Sequence, residues 1–205
     1  MYIIVKAGTQ QKEEFLSKGF PEAVRVEFIT GGAVASNADA YFDLCFEEEG
    51  PAFAGITQQP VFVNAVIGTC KELPANCIRI NAWNGFLKRE IVEIAGNDGS
   101  LIANAEEILN ALGWKFQVVP DVPGMIAARV IAMIVNEAYY GLGDGISTKK
   151  DIDTAMKLGT NYPFGPFEWS ARIGLGKIAS LLHKLNETDS RYAVAPALDK
   201  EVNEL

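Results

Sequence analysis

The sequence predicts an α/β domain with a largely parallel sheet, followed by a domain built only of helices. Short β-branched runs alternate with helical stretches through residues 1–119, the pattern of parallel strands joined by helical crossovers. The segment PDVPG (120–124) then breaks that alternation. Beyond it, residues 125–140, MIAARVIAMIVNEAYY, are apolar on almost every face, as suits a helix buried on several sides in a core or a subunit interface. The boundary near Pro120–Pro123 divides the chain into domains 1–120 and 121–205.

The elements follow in order. YIIV (2–5) reads as a strand, QQKEEFLSK (10–18) as a short helix and VRVEFI (24–29) as a second strand. AYFDLCF (40–46), PVFVNAV (60–66), CIRI (77–80) and KFQVV (115–119) are further strands. LIANAEEILNAL (101–112) is an amphipathic helix, with Asp98 or Ser100 as its cap and Gly113 as its stop. Only Thr30–Asp39 separate the second and third strands, with Gly31-Gly32 near the start of that segment. A parallel crossover with its helix needs at least about 10–12 residues, so this sheet is trimmed. In the second domain, Thr148-x-x-Asp151 resembles a capping box and Gly159 ends the helix it opens. NYPFGPF (161–167) is a turn, helices follow at 167–173 and 175–186, and the tail from Asn186 is polar and loosely patterned.

Composition limits the function classes. Of 205 residues, 49% are hydrophobic and 21% charged, and the net charge is 18 − 26 = −8. Such a surface disfavours nonspecific nucleic-acid or anionic-membrane binding. No apolar run is long enough to span a bilayer, and the N-terminus lacks a signal-peptide core. Cys45, Cys70 and Cys77 form no CxxC and read as reduced thiols of a cytoplasmic protein. His183 is the single histidine, so no metal site is expected.

The stretch INAWNGFLKREIVEI (80–94) has the character of an active-site loop. An apolar strand runs into a polar, aromatic turn, and an acid, Glu93, returns twelve residues after Asn81. Nothing in it titrates near neutral pH. His183, in ASLLHKLNE, reads as a surface or partly buried packing residue. Trp83 either stacks on a ligand ring or fills space within the turn.

The second half carries a family resemblance. NEA (136–138), DIDTAMKLG (151–159), YPFGPFE (162–168), IGL (173–175) and Arg191-Tyr192 with Pro196 and Leu198 resemble the C-terminal domain of the 3-hydroxyacyl-CoA dehydrogenases. The resemblance implies an all-helical domain that forms a homodimer through its long helices, acyl-CoA as ligand, NAD as cofactor and a role in fatty-acid metabolism. The first half is similar to that family's NAD-binding domain in outline, which makes it a trimmed Rossmann-like domain.

The family's functional motifs depart in this chain. Its G-x-G-x-x-G pattern falls on Lys6-Ala7-Gly8-Thr9-Gln10-Gln11, which keeps only the middle glycine. The three glycines serve a tight turn, close approach to pyrophosphate and helix–strand packing. Gly8 and Thr9 can still offer amides to a phosphate, and Lys6 can add charge. The family's catalytic loop, HFFNP followed by a glutamate, corresponds to Asn81-Ala82-Trp83-Asn84-Gly85 and Glu93. Asn81 thus replaces the histidine, while Asn84 and Glu93 are retained. Val66 stands at the place of the substrate-binding serine and Ala128 at that of the PGF-x-x-N asparagine.

A carboxamide cannot act as the proton-transfer base that imidazole provides. The residues therefore predict weak or no NAD-dependent oxidation of 3-hydroxyacyl-CoA. The alternative role is that of a non-catalytic dimeric CoA- or nucleotide-binding or assembly subunit.

Overall fold

The structure, a computed structural model, describes residues 1–31 and 37–205. The crossover segment that includes Gly32 falls partly outside the described residues. The chain divides into two compact units, Met1–Met125 and Ile126–Leu205.

The first unit holds one sheet. Its strands are β1 (Tyr2–Lys6), β2 (Arg25–Ile29), β3 (Ala40–Asp43), β4 (Val61–Asn64), β5 (Cys77–Ile80), β6 (Ile91–Ala95) and β7 (Lys115–Val118). They lie in the order β2-β1-β3-β4-β5-β6-β7. Every neighbouring pair is parallel except β5–β6, which is antiparallel. The helices are α1 (Thr9–Ser17), the short α2 (Phe46–Glu49) and α3 (Gly99–Ala111).

Two sequence expectations change here. Residues 91–95 form a strand of their own, paired back onto β5. The third strand stops at Asp43 rather than Phe46, and α2 begins where the strand was expected to continue. Lys6 accepts the last ladder bond, from the Leu44 N–H at 2.9 Å. Asp43 then accepts from the Ala52 N–H at 2.7 Å, which turns the chain away from the sheet.

Period-two alternation sorts the strand side chains onto two faces. Ile3, Val5, Phe42, Phe62, Ile78, Ile80, Val92 and Ile94 face the helix layer of α1 and α3. Phe15 of α1 sits at its centre, 5.3 Å from the Phe42 ring and 4.9 Å from Trp114. The other face gathers Ile4, Tyr41, Val61, Val63 and Cys77. Asp98 caps α3, accepting from the Ser100 and Leu101 N–H groups, and Gly113 takes the left-handed conformation that ends it, at φ 71°.

Arg79 is the exception on the second face. It is 0% exposed and completely engaged. Nε donates to the Ala65 carbonyl (2.7 Å) and Nη2 to the Val66 carbonyl (3.0 Å). Nη1 reaches Asp121 (2.6 Å) and the Val122 carbonyl (3.2 Å). Asp121 also accepts from the Cys70 N–H at 3.0 Å. Burial works to raise the Asp121 carboxyl, but the Cys70 amide and the Arg79 guanidinium outweigh it and hold it below the usual range.

The second unit comprises α4 (Ala127–Gly143), α5 (Lys149–Thr160), α6 (Pro166–Ile173), α7 (Leu175–Asn186) and α8 (Pro196–Asn203). The polar tail is thus ordered into a helix, with Pro196 at its first turn and Leu198 buried. Thr148 caps α5. That helix runs through Gly159 to Thr160, and Asn161 at φ 55° ends it instead. Two family-like motifs have structural causes. Asn136, buried in α4, donates to the Ala193 carbonyl and accepts from the Ala195 N–H, both at 2.8 Å. Asp153 of α5 accepts from the Phe167 N–H at 2.8 Å. A Cβ on Gly165 would lie 2.3–2.5 Å from Asp153, so only glycine fits there.

Removing one partner of a buried ion pair typically costs about 3–5 kcal/mol. Asp121→Ala is expected to lose stability of that order in urea unfolding. The depressed Asp121 pKa makes its contribution complete above the ordinary Asp value near ~4. That contribution falls away as pH drops through the lower folded value, so the gap between wild type and variant should narrow in acid.

Candidate active-site loop and nucleotide mouth

The chain passes from β1 through α1 to β2 on one side, and β3 lies on the other side of β1. Open α/β sheets bind ligands outside the carboxyl ends of the strands at such a reversal. Gly8, Thr9 and Lys6 stand there. Gly8 is the N-cap of α1 in extended conformation, and its N–H donates to the Gln11 Oε1 at 3.1 Å. Thr9 is exposed. Lys6 Nζ pairs with Glu49 at 2.7 Å, and that hydrogen bond raises its pKa.

The Gln11 side chain makes a connection between two strand exits. Its Nε2 donates to the Leu44 carbonyl (2.6 Å) and the Ala82 carbonyl (3.2 Å). The side chain therefore ties the exit of β3 to the exit of β5. Glu14, one turn later, accepts from the Gly85 N–H at 2.7 Å. Helix α1 is bonded to the very loop that the sequence singles out.

Within that loop, Asn81 and Glu93 are brought together by the β5–β6 pairing. The Asn81 N–H donates to the Glu93 carbonyl at 3.1 Å. Asn81 Nδ2 donates to Glu93 Oε2 at 3.2 Å. Asn81 is 2% exposed, and its Oδ1 is buried without a hydrogen-bond partner. Asn84 lies in the following turn, half-buried. Asn64, at the end of β4, accepts from the Ala82 N–H at 3.0 Å. Trp83 is wholly buried, and its Nε1 donates to Glu47 Oε2 at 2.7 Å. His183 is exposed on α7, 3.1 Å from Asp199. Val66 and Ala128 are both fully buried.

Glu47, Arg79 and Gln11 are the residues whose part the sequence reading missed. Glu47 sits in a run of three glutamates, which reads as a solvated face. Its Oε1 instead accepts from the Val66 N–H (2.5 Å) and the Ile67 N–H (2.7 Å). Arg79 did leave a signal: a lone charge inside the four-residue apolar strand CIRI.

The thiols are unsuited to chemistry. All three are free and buried. Burial, with Asp121 beside it, pushes the Cys70 thiol up to about 12, and burial pushes Cys77 to about 11. The thiolate is the reactive form, so alkylation of the folded chain by iodoacetamide at pH 8 should be negligible. It should become complete for all three in guanidinium. Rapid labelling of any one in the native state would contradict the packing. Among the described residues, no group of three or more His, Cys, Asp or Glu side chains is placed to hold a metal, and no helix is long and apolar enough to cross a membrane.

Comparison with known proteins places this geometry. The 3-hydroxyacyl-CoA dehydrogenase C-terminal domain matches residues 124–204. The 3-hydroxyadipyl-CoA dehydrogenase of Escherichia coli (strain K12) is 42% identical over 95 residues, which is 46% of this chain and 20% of that protein. The 3-hydroxybutyryl-CoA dehydrogenase of Bradyrhizobium diazoefficiens is 33% identical over 141 residues, 66% of this chain and 48% of that one. The chain thus spans about half or less of the length of the curated relatives it matches. The crystal structure of the (S)-3-hydroxybutyryl-CoA dehydrogenase of Ralstonia eutropha superposes with a TM-score of 0.75 at 19% identity, covering 99% of this chain and 93% of that one. That likeness establishes the Rossmann-like layer and the helical region as a shared fold. Residues 124–204 match the 3-hydroxyacyl-CoA dehydrogenase C-terminal domain, and the chain shares its fold with the solved (S)-3-hydroxybutyryl-CoA dehydrogenase.

Proposed function

We propose that this chain is a diverged member of the 3-hydroxyacyl-CoA dehydrogenase family with little or no dehydrogenase turnover. The observation that carries the reading is Asn81: a buried carboxamide, bonded to Glu93, at the place of the proton-transfer base. General acid–base help is typically worth ~10²–10⁴-fold, and groups that act together are not additive. Val66 and Ala128 at two further family positions lower the expected rate again.

The residues at the mouth do not fit a dinucleotide. The Gly8 amide is taken by Gln11, and Lys6 is held by Glu49. The Gln11 side chain occupies the place of the glycine that would let helix and strand approach.

A second role, association, has its own support. At the N-cap of α4 Ile126 is 44% exposed, and within the helix Val130 is 50% exposed. A groove of about 440 Å³ is lined by Val130, Met133, Ile134, Arg129 and Tyr192 among others. An exposed apolar helix face of this kind suits a homodimer through the C-terminal helices. In this reading the chain acts as a dimeric binding or assembly subunit, with acyl-CoA as its candidate ligand. Buried, free thiols suit a reducing, cytoplasmic setting, and the charge of −8 disfavours nucleic acid.

Titration with NADH, followed by the cofactor's fluorescence, is expected to show no saturable binding up to millimolar concentration. Acetoacetyl-CoA should be reduced only at the background rate. Micromolar binding together with turnover near the ~1 s⁻¹ lower range of ordinary enzymes would overturn the reading.

A further inference from the structure

Glu47 is held in a way that a solvated glutamate is not. Two consecutive backbone N–H groups, Val66 and Ile67, point at one of its oxygens from 2.5 and 2.7 Å. The Trp83 indole N–H points at the other from 2.7 Å. Charge-assisted bonds of this kind are the strong ones. The donors are also fixed from behind. Arg79 draws the Ala65 and Val66 carbonyls to its own side, and Trp83 is 0% exposed. The cradle is therefore built into the sheet, whereas its occupant stands on the four-residue helix α2 and is only half-buried.

The cradle opens onto a cleft of about 270 Å³. Phe46, Ala65, Ile67 and Leu73 supply apolar wall, and Glu72 adds one acidic group. Apolar wall suits a short aliphatic chain, while Glu72 disfavours a second negative charge. The geometry points to a binding site for a short aliphatic monocarboxylate, closed in this state by Glu47 acting as an intramolecular ligand. The carboxylate of the ligand would take the three N–H donors, its alkyl chain would lie in the cleft, and Glu47 would swing out to water. This inference rests on the Glu47 contacts and not on the dehydrogenase reading. A tethered group competes at an effective concentration in the millimolar range, so the native chain should bind such ligands weakly.

The test is a butyrate titration of ¹⁵N-labelled wild type, Glu47→Ala and Glu47→Gln. It follows the Trp83 indole signal and the Val66 and Ile67 amides. Glu47→Ala is expected to show saturable shifts in these three signals, with affinity at least tenfold above wild type. Glu47→Gln, which keeps the shape and one acceptor oxygen, should fall between. Succinate should bind no more tightly than butyrate. Should Glu47→Ala lose its fold, butyrate is expected to restore it through ligand linkage. Folded variants that give no saturable shift at these three signals would overturn the proposal. So would an equal response in all three chains, or unfolded variants that butyrate does not rescue.

Discussion

A guanidinium with no exposure to water must find every partner inside the protein, and Arg79 organises the sheet's carboxyl edge around that need. Its donors fix the carbonyls of Ala65 and Val66 and the carboxylate of Asp121. The chain leaving β4 is thereby turned so that its amides at Val66 and Ile67 face Glu47. Asp121, in turn, holds Cys70 and the turn that follows β7. One buried charge thus sets the direction of the backbone where a ligand would approach.

The same logic repeats along the strand ends. Donors that an external anion could use are answered by the chain's own side chains. Gly8 is answered by Gln11, Val66 and Ile67 by Glu47, Gly85 by Glu14 and Cys70 by Asp121. Backbone N–H groups at helix starts and strand ends commonly bind phosphate or carboxylate. Here the sheet keeps that architecture while acceptors from within satisfy it. In the proposed reading, the buried Asn81 carboxamide and the self-satisfied Gly8 amide are related features of one edge.

Much of the fold could be read from the sequence, because its signals are local. The strand CIRI, the Asp98 cap of α3, the Thr148 cap of α5 and the break after Val119 depend on neighbours within a few residues. The strand Ile91–Ala95 was less legible, since its identity comes from pairing with β5 across an aromatic turn. Helix α8 was missed because Leu198 is its single buried residue, too few to show a period. The candidate loop was found from the apolar strand that runs into the polar, aromatic turn at Asn81–Gly85 and from the acid Glu93 that follows it. Glu47 was not, because an acid in FEEE carries no local sign of partners twenty and thirty-six residues away. Gln11 was recognised as an obstruction in the glycine pattern, but its bonds to Leu44 and Ala82 depend on tertiary contact.

The claim that joins these features is that the carboxyl edge of the sheet is closed by the protein itself. Hydrogen exchange at the Gly8, Val66, Ile67 and Gly85 amides tests it most directly, because these lie outside the strand ladders. The account predicts protection comparable to that of the neighbouring sheet amides in the free protein, unchanged by millimolar NAD and CoA. Fast exchange in the free protein, with protection gained only on adding either ligand, would contradict it.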